Sequence, residues 1–120
     1  MTSKRILLVE DDQGLRELIA EALVDDGYLV EPAADGQAAL AVASRRKPDL
    51  VILDLMMPHM NGEAFSAAMQ QLPGLATVPI IIVSASRYSH EVGARVGAQV
   101  ALRKPFDLFE LTEHVHQFLR

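Results

Sequence analysis

Three short runs of this chain are apolar at every position rather than at every second one: Ile6 to Val9, Leu50 to Leu53 and Ile80 to Val83. A strand with one face in water alternates apolar and polar residues. An unbroken run of this length suits a strand covered on both faces, the usual condition of a parallel sheet between two layers of helices. Each run also ends on a side chain with chemistry: the first on Glu10 and Asp11, the second on Asp54, the third on Ser84. A weaker run, Val100 to Arg103, ends on Lys104. If the strands are parallel, their carboxyl ends share one edge, and that edge is where open α/β sheets bind ligands.

The stretches between the runs have helical spacing. Leu15, Leu18, Ile19, Ala22 and Leu23 recur on one face, with Asp12 placed to cap the helix and Gly27 to stop it. Tyr28 to Ala33 is a short strand that contains Pro32 and therefore belongs near an edge of the sheet. Gly36 to about Arg46 is an alanine-rich helix closed by Pro48. After Asp54 comes a loop, Leu55 to Asn61, with Pro58 and Asn61-Gly62 as turn residues. A helix carrying Phe65, Ala68, Met69 and Leu72 follows and ends at Pro73-Gly74. Ser86 to Val96 reads as a weak helix, because Gly93 lowers its propensity by roughly 1 kcal/mol relative to alanine. The last helix begins after Asp107 and carries Leu108, Leu111, Val115, Phe118 and Leu119. Strands alternating with helices in this way define an α/β fold, a doubly wound parallel sheet.

At 120 residues, half of them hydrophobic, the chain is expected to form a single domain over residues 1–120 with a substantial core. Cysteine is absent, which excludes disulfides and thiolate metal sites and fits a reducing compartment. The apolar stretch within Met1 to Glu10 is too short for a signal peptide, and no run approaches the roughly 18 apolar residues needed for a membrane span. A soluble, cytoplasmic protein without membrane contact is therefore expected. The net charge is −5, and the only basic cluster is Arg45-Arg46-Lys47, which reads as a solvated helix end. Direct nucleic-acid binding by this domain is not expected.

Brought to one edge, Glu10, Asp11 and Asp54 would repel one another unless a cation stood among them. A hard divalent ion such as Mg²⁺ suits such a site, held by one or two carboxylates, a carbonyl and several waters. Helix capping alone would account for Asp12, but it leaves Glu10 and Asp11, directly after a buried strand, needing a further reason. Opposite these acids, Lys104 becomes a counter-ion and a clamp for a phosphoryl oxygen, and Ser84 a hydrogen-bond donor to one. His59, His90, His114 and His116 lack metal-site spacing with carboxylates and read as solvated or helix-end side chains. Met56, Met57 and Met60 read as packing around the active-site loop. No glycine-rich phosphate cradle occurs, so nucleotide binding is unsupported.

Taken in order, Ile6-Leu7-Leu8-Val9-Glu10-Asp11-Asp12, Asp54-Leu55-Met56-Met57-Pro58 with Asn61-Gly62, Ser84-Ala85, Gly97-Ala98 and Lys104-Pro105-Phe106 resemble the receiver domains of two-component response regulators. The resemblance spans the whole chain. It implies a flavodoxin-like (βα)5 fold with a five-stranded parallel sheet in the order 2-1-3-4-5 and helices on both faces. It implies that Asp54 accepts a phosphoryl group from a sensor histidine kinase, a histidine phosphotransfer protein or a small phosphodonor. Mg²⁺ would be bound by Asp11, Asp54 and the backbone carbonyl of Met56, with Glu10 acting mainly through a water. Lys104 would hold the phosphoryl group and Ser84 would close on it, switching the domain toward an output partner. A cis peptide before Pro105 is likewise implied by the resemblance alone.

Two features depart from the family. Most relatives carry an aromatic residue at the place of Ala101, and the interval from Ser84 to Lys104 is a little short. Both fall on the fourth helix and fifth strand, so an unusual or weakened conformational relay is expected there, with phosphorylation intact. Two rival functions remain. Haloacid-dehalogenase-like phosphatases share an aspartate nucleophile, Mg²⁺, a hydroxyl and a lysine, but they have a second aspartate where this chain has Met56. A purely structural interaction module would have no use for the full set of Glu10, Asp11, Asp54, Ser84 and Lys104.

Overall fold

A computed structural model describes residues 3–57 and 60–119. Along the chain it comprises β1 (Arg5–Val9), α1 (Gln13–Asp25), β2 (Leu29–Ala33), α2 (Gly36–Arg45), β3 (Leu50–Leu53), α3 (Gly62–Gln70), β4 (Ile80–Ser84), α4 (Ser89–Val96), β5 (Val100–Arg103) and α5 (Leu108–Phe118). The strands form one sheet in the order β2-β1-β3-β4-β5, and every pairing is parallel. The expected fold and strand order are those observed. Pro32 lies in β2, an edge strand, as its missing N–H requires.

The unbroken apolar runs divide between two cores. Leu7, Val9, Val51, Leu53, Ile80 and Ile82 point to the side covered by α2, α3 and α4, where they meet Ala39, Ala43, Phe65, Met69 and Val96. Ile6, Leu8, Leu50, Ile52, Ile81 and Val83 point to the side covered by α1 and α5, against Ile19, Leu23, Leu111 and Val115. Successive residues of a strand face opposite ways, so a sheet buried on both sides uses every position.

Local chemistry sets the helix starts. Asp12, Asp35, Asn61 and Asp107 are N-caps whose side chains accept from backbone N–H groups of Leu15, Ala38, Ala64 and Phe109. Gly27 and Gly97 follow α1 and α4 with φ of 96° and 76°, a left-handed conformation that favours glycine.

Three local expectations change. Regular α3 ends at Gln70, and Gln71 and Leu72 continue in tighter bonds to Ala68 and Met69 before Gly74. Gly62 is the first residue of α3 rather than a turn residue: a Cβ there would lie 2.6 Å from the Asp54 carbonyl oxygen. Helix α4 begins at Ser89 rather than Ser86, because serines hold the preceding segment as a turn. The Ser84 hydroxyl accepts from Ser86 N, the Ser86 hydroxyl accepts from Tyr88 N, and Ser89 Oγ donates to the Ser86 carbonyl. Pro58 and His59 lie outside the described residues.

Candidate functional site

The carboxyl edge of the sheet gathers the side chains that end its strands. Backbone hydrogen bonds fix them there: Asp54 N donates to Val9 O at 2.9 Å, Glu10 N to Ala33 O at 3.0 Å and Lys104 N to Ser84 O at 2.8 Å. Glu10, Asp54 and Ser84 are buried, whereas Asp11 is exposed. Carboxylate oxygens of Glu10, Asp11 and Asp54 lie within 4.8 Å of one another.

Lys104 joins two of these acids. Its Nζ is 2.8 Å from Glu10 Oε1 and 3.1 Å from Asp54 Oδ2. Asp54 Oδ1 accepts from the Met56 amide at 3.0 Å, and Glu10 Oε2 accepts from the Asp12 amide at 3.1 Å. Glu10 Oε1 is buried with the Lys104 charge beside it but no aligned hydrogen bond. Burial is the largest influence on Glu10 and lifts its pKa from 4.5 to about 7; the Asp54 charge adds to the rise, while Lys104 and the Asp12 amide oppose it. Burial pulls the Lys104 pKa down, but Glu10 and Asp54 outweigh it and leave the ammonium above its ordinary value.

These donors fit a hard divalent cation. All are oxygens, they converge, the exposed Asp11 gives access from solvent, and a buried acceptor without a hydrogen bond, Glu10 Oε1, belongs to the cluster. The peptide bond before Pro105 is cis, and an apolar cavity of about 470 Å³ lined by Leu15, Ala85, Lys104, Pro105 and Phe106 opens beside the lysine.

The folded chain thus brings Glu10, Asp11, Asp54, Ser84 and Lys104 to one sheet edge, with the Met56 backbone next to Asp54. The Met56 side chain does not pack as expected: it is 59% exposed, whereas Met57 and Met60 rest against the core. Among the histidines, His90 is exposed and His116 lies in the last turn of α5, both as expected; His116 also lies 3.1 Å from Asp26 and packs against the Tyr28 ring, and Nδ1 of His114 is buried. Asp26 and Tyr28 are far from His116 in sequence, so helix position alone could not show these contacts.

Arg16 escaped the sequence reading. From α1 its Nη1 donates back to the carbonyls of Glu10 at 2.9 Å and Asp11 at 3.3 Å. A signal was present: a cation one turn into a helix opposes the macrodipole and therefore asks for another reason to be there.

A family model for the response regulator receiver domain matches residues 6–116. The chain belongs to this family. It is 37% identical to the alkaline phosphatase synthesis transcriptional regulatory protein SphR of Synechococcus elongatus, over 98% of this chain and 49% of SphR. The chain spans about half the length of the curated relatives it matches. The chemotaxis protein CheY4 of Vibrio cholerae superposes with a TM-score of 0.90 at 33% identity, covering 98% of this chain and 100% of CheY4. The response regulator TrrA of Thermotoga maritima, solved in complex with Mg²⁺ and BeF, superposes with a TM-score of 0.84 at 32% identity, covering 97% of this chain and 99% of TrrA. Ala101 is half-buried, and a Cβ added at Gly93 of α4 would lie 3.5 Å from its methyl, at ordinary van der Waals contact.

Proposed function

We propose that this receiver domain takes a phosphoryl group onto Asp54 from the phosphohistidine of a sensor kinase or phosphotransfer protein, or from a small acyl phosphate. The observation that carries the reading is the sharing of Lys104 between Glu10 and Asp54 at the sheet edge. Phosphoryl transfer asks chiefly for positioning and charge neutralisation, and this edge supplies both. An Asp54 carboxylate oxygen forms the new bond to phosphorus as the donor's P–N or P–O bond breaks and its electrons leave with the donor. The Met56 amide and Lys104 orient the Asp54 carboxylate, and Lys104 then follows the phosphoryl oxygens. Ser84 donates its hydroxyl proton to one of them. Asp11, Asp54 and the Met56 carbonyl would hold Mg²⁺, with Glu10 acting through water. A bound Mg²⁺ supplies neutralisation of the charge that builds on the phosphoryl oxygens.

The apolar cavity beside Lys104 suits side chains that flank a donor's phosphohistidine. The acyl phosphate is a mixed anhydride, so the mark is temporary, and its contacts with Ser84 and Lys104 bias an equilibrium between two conformations. The domain is then a signalling phosphoacceptor rather than a turnover enzyme, since the side chain of Met56 offers no acid. Incubation with acetyl phosphate and Mg²⁺ tests this. Wild type is expected to gain one phosphoryl mass and Asp54→Asn none, and equal labelling of the two would overturn the reading. Sustained release from a chromogenic phosphate ester would favour the phosphatase instead.

A further inference from the structure

We propose that Arg16 is a positioning residue of the acidic edge, tying down the carbonyls of Glu10 and Asp11 so that the exposed Asp11 carboxylate meets a divalent cation beside Asp54. The inference rests on the metal-site reading above. Burial restrains the Glu10 and Asp54 side chains, whereas Asp11 is exposed and its placement depends on its backbone. That backbone is a bend between β1 and the Asp12 cap, and Arg16 Nη1 holds both carbonyls that precede the cap, at 2.9 and 3.3 Å. Both bonds are charge-assisted, which makes them stronger than ordinary amide bonds. The guanidinium stays where the helix dipole disfavours it, and the two carbonyls account for its place. Groups that orient metal ligands in this way commonly change affinity 10- to 100-fold when lost.

Charge alone predicts the opposite sign. A cation near the site repels a second cation, so a neutral residue at position 16 would tighten Mg²⁺ binding if the bonds to the carbonyls did nothing. The experiment is an Mg²⁺ titration of the whole chain followed by backbone amide NMR shifts, on wild type, Arg16→Met and Arg16→Gln, with metal-free melting curves as a control. Affinity is expected to fall at least about tenfold in both variants. Acetyl phosphate labelling should return to the wild-type rate at saturating Mg²⁺, a recovery that general damage to the fold would not give. Unchanged or tighter Mg²⁺ binding overturns the proposal, as does labelling that stays slow at saturating Mg²⁺. If Arg16→Met fails to fold, Arg16→Gln, which keeps a donor of reduced reach, decides by the same criteria. Absence of Mg²⁺ binding by wild type itself would overturn the metal-site reading and this inference with it.

Discussion

Glu10 carries the largest electrostatic consequence of the arrangement. Its side chain is buried beside Asp54, and its pKa stands at about 7 against 4.5 when free. A carboxyl whose folded pKa is raised binds its proton more tightly in the native state. Its contribution to stability is therefore fully present below about pH 4.5 and is lost as pH climbs through about 7. In EDTA, wild type is expected to melt at progressively lower temperature over that interval, and Glu10→Gln to show a flatter profile and to be the more stable of the two above pH 7. Thermal melts at stepped pH check this; parallel profiles for the two proteins would contradict it. The residues of the site were legible because each ends a recognisable strand. The state of Glu10 was not, since burial and a lysine almost a hundred positions away both depend on the assembled sheet.

Among the elements, α3 and α4 show how two helical glycines differ. Gly62 opens α3 against the backbone that carries Asp54: an added Cβ would lie 2.6 Å from Asp54 O and 2.8 Å from Leu55 Cα. Gly93, inside α4, would place its Cβ 3.5 Å from both Ala101 and Ile82, which is ordinary contact. Gly62→Ala is thus expected to destabilise by about 1–3 kcal/mol through overpacking, and Gly93→Ala to stabilise by roughly 1 kcal/mol through helix propensity. Urea unfolding of both variants measures the signs, and a shift in the same direction for both would refute the distinction. From sequence, Gly62 read as a turn residue, because glycine signals a turn and close backbone approach alike. The start of α4 was misplaced for a related reason. The hydroxyls of Ser84, Ser86 and Ser89 satisfy a turn that a propensity reading takes for the first turn of a helix.

At the scale of the molecule, parallel topology converts distance in sequence into proximity. β1, β3, β4 and β5 all end at one edge, so Glu10, Asp54, Ser84 and Lys104 meet without any long loop to carry them. The fold class followed from runs that were apolar at every position, because only strands covered on both faces tolerate them. Strand order did not follow from those runs, since any order of parallel strands would bury them; it came from the family resemblance. The departure at Ala101 was legible in the sequence, but its surroundings were not: they depend on α4 lying beside β5, with Gly93 next to the methyl group.

The most direct test of Asp54 as a metal-assisted nucleophile is borohydride reduction of protein treated with acetyl phosphate, followed by peptide mass mapping. Reduction converts an aspartyl phosphate to homoserine. The expected result is homoserine at position 54 in Mg²⁺ and its loss in EDTA. Conversion at another acid, or equal conversion at position 54 with and without Mg²⁺, would contradict the account.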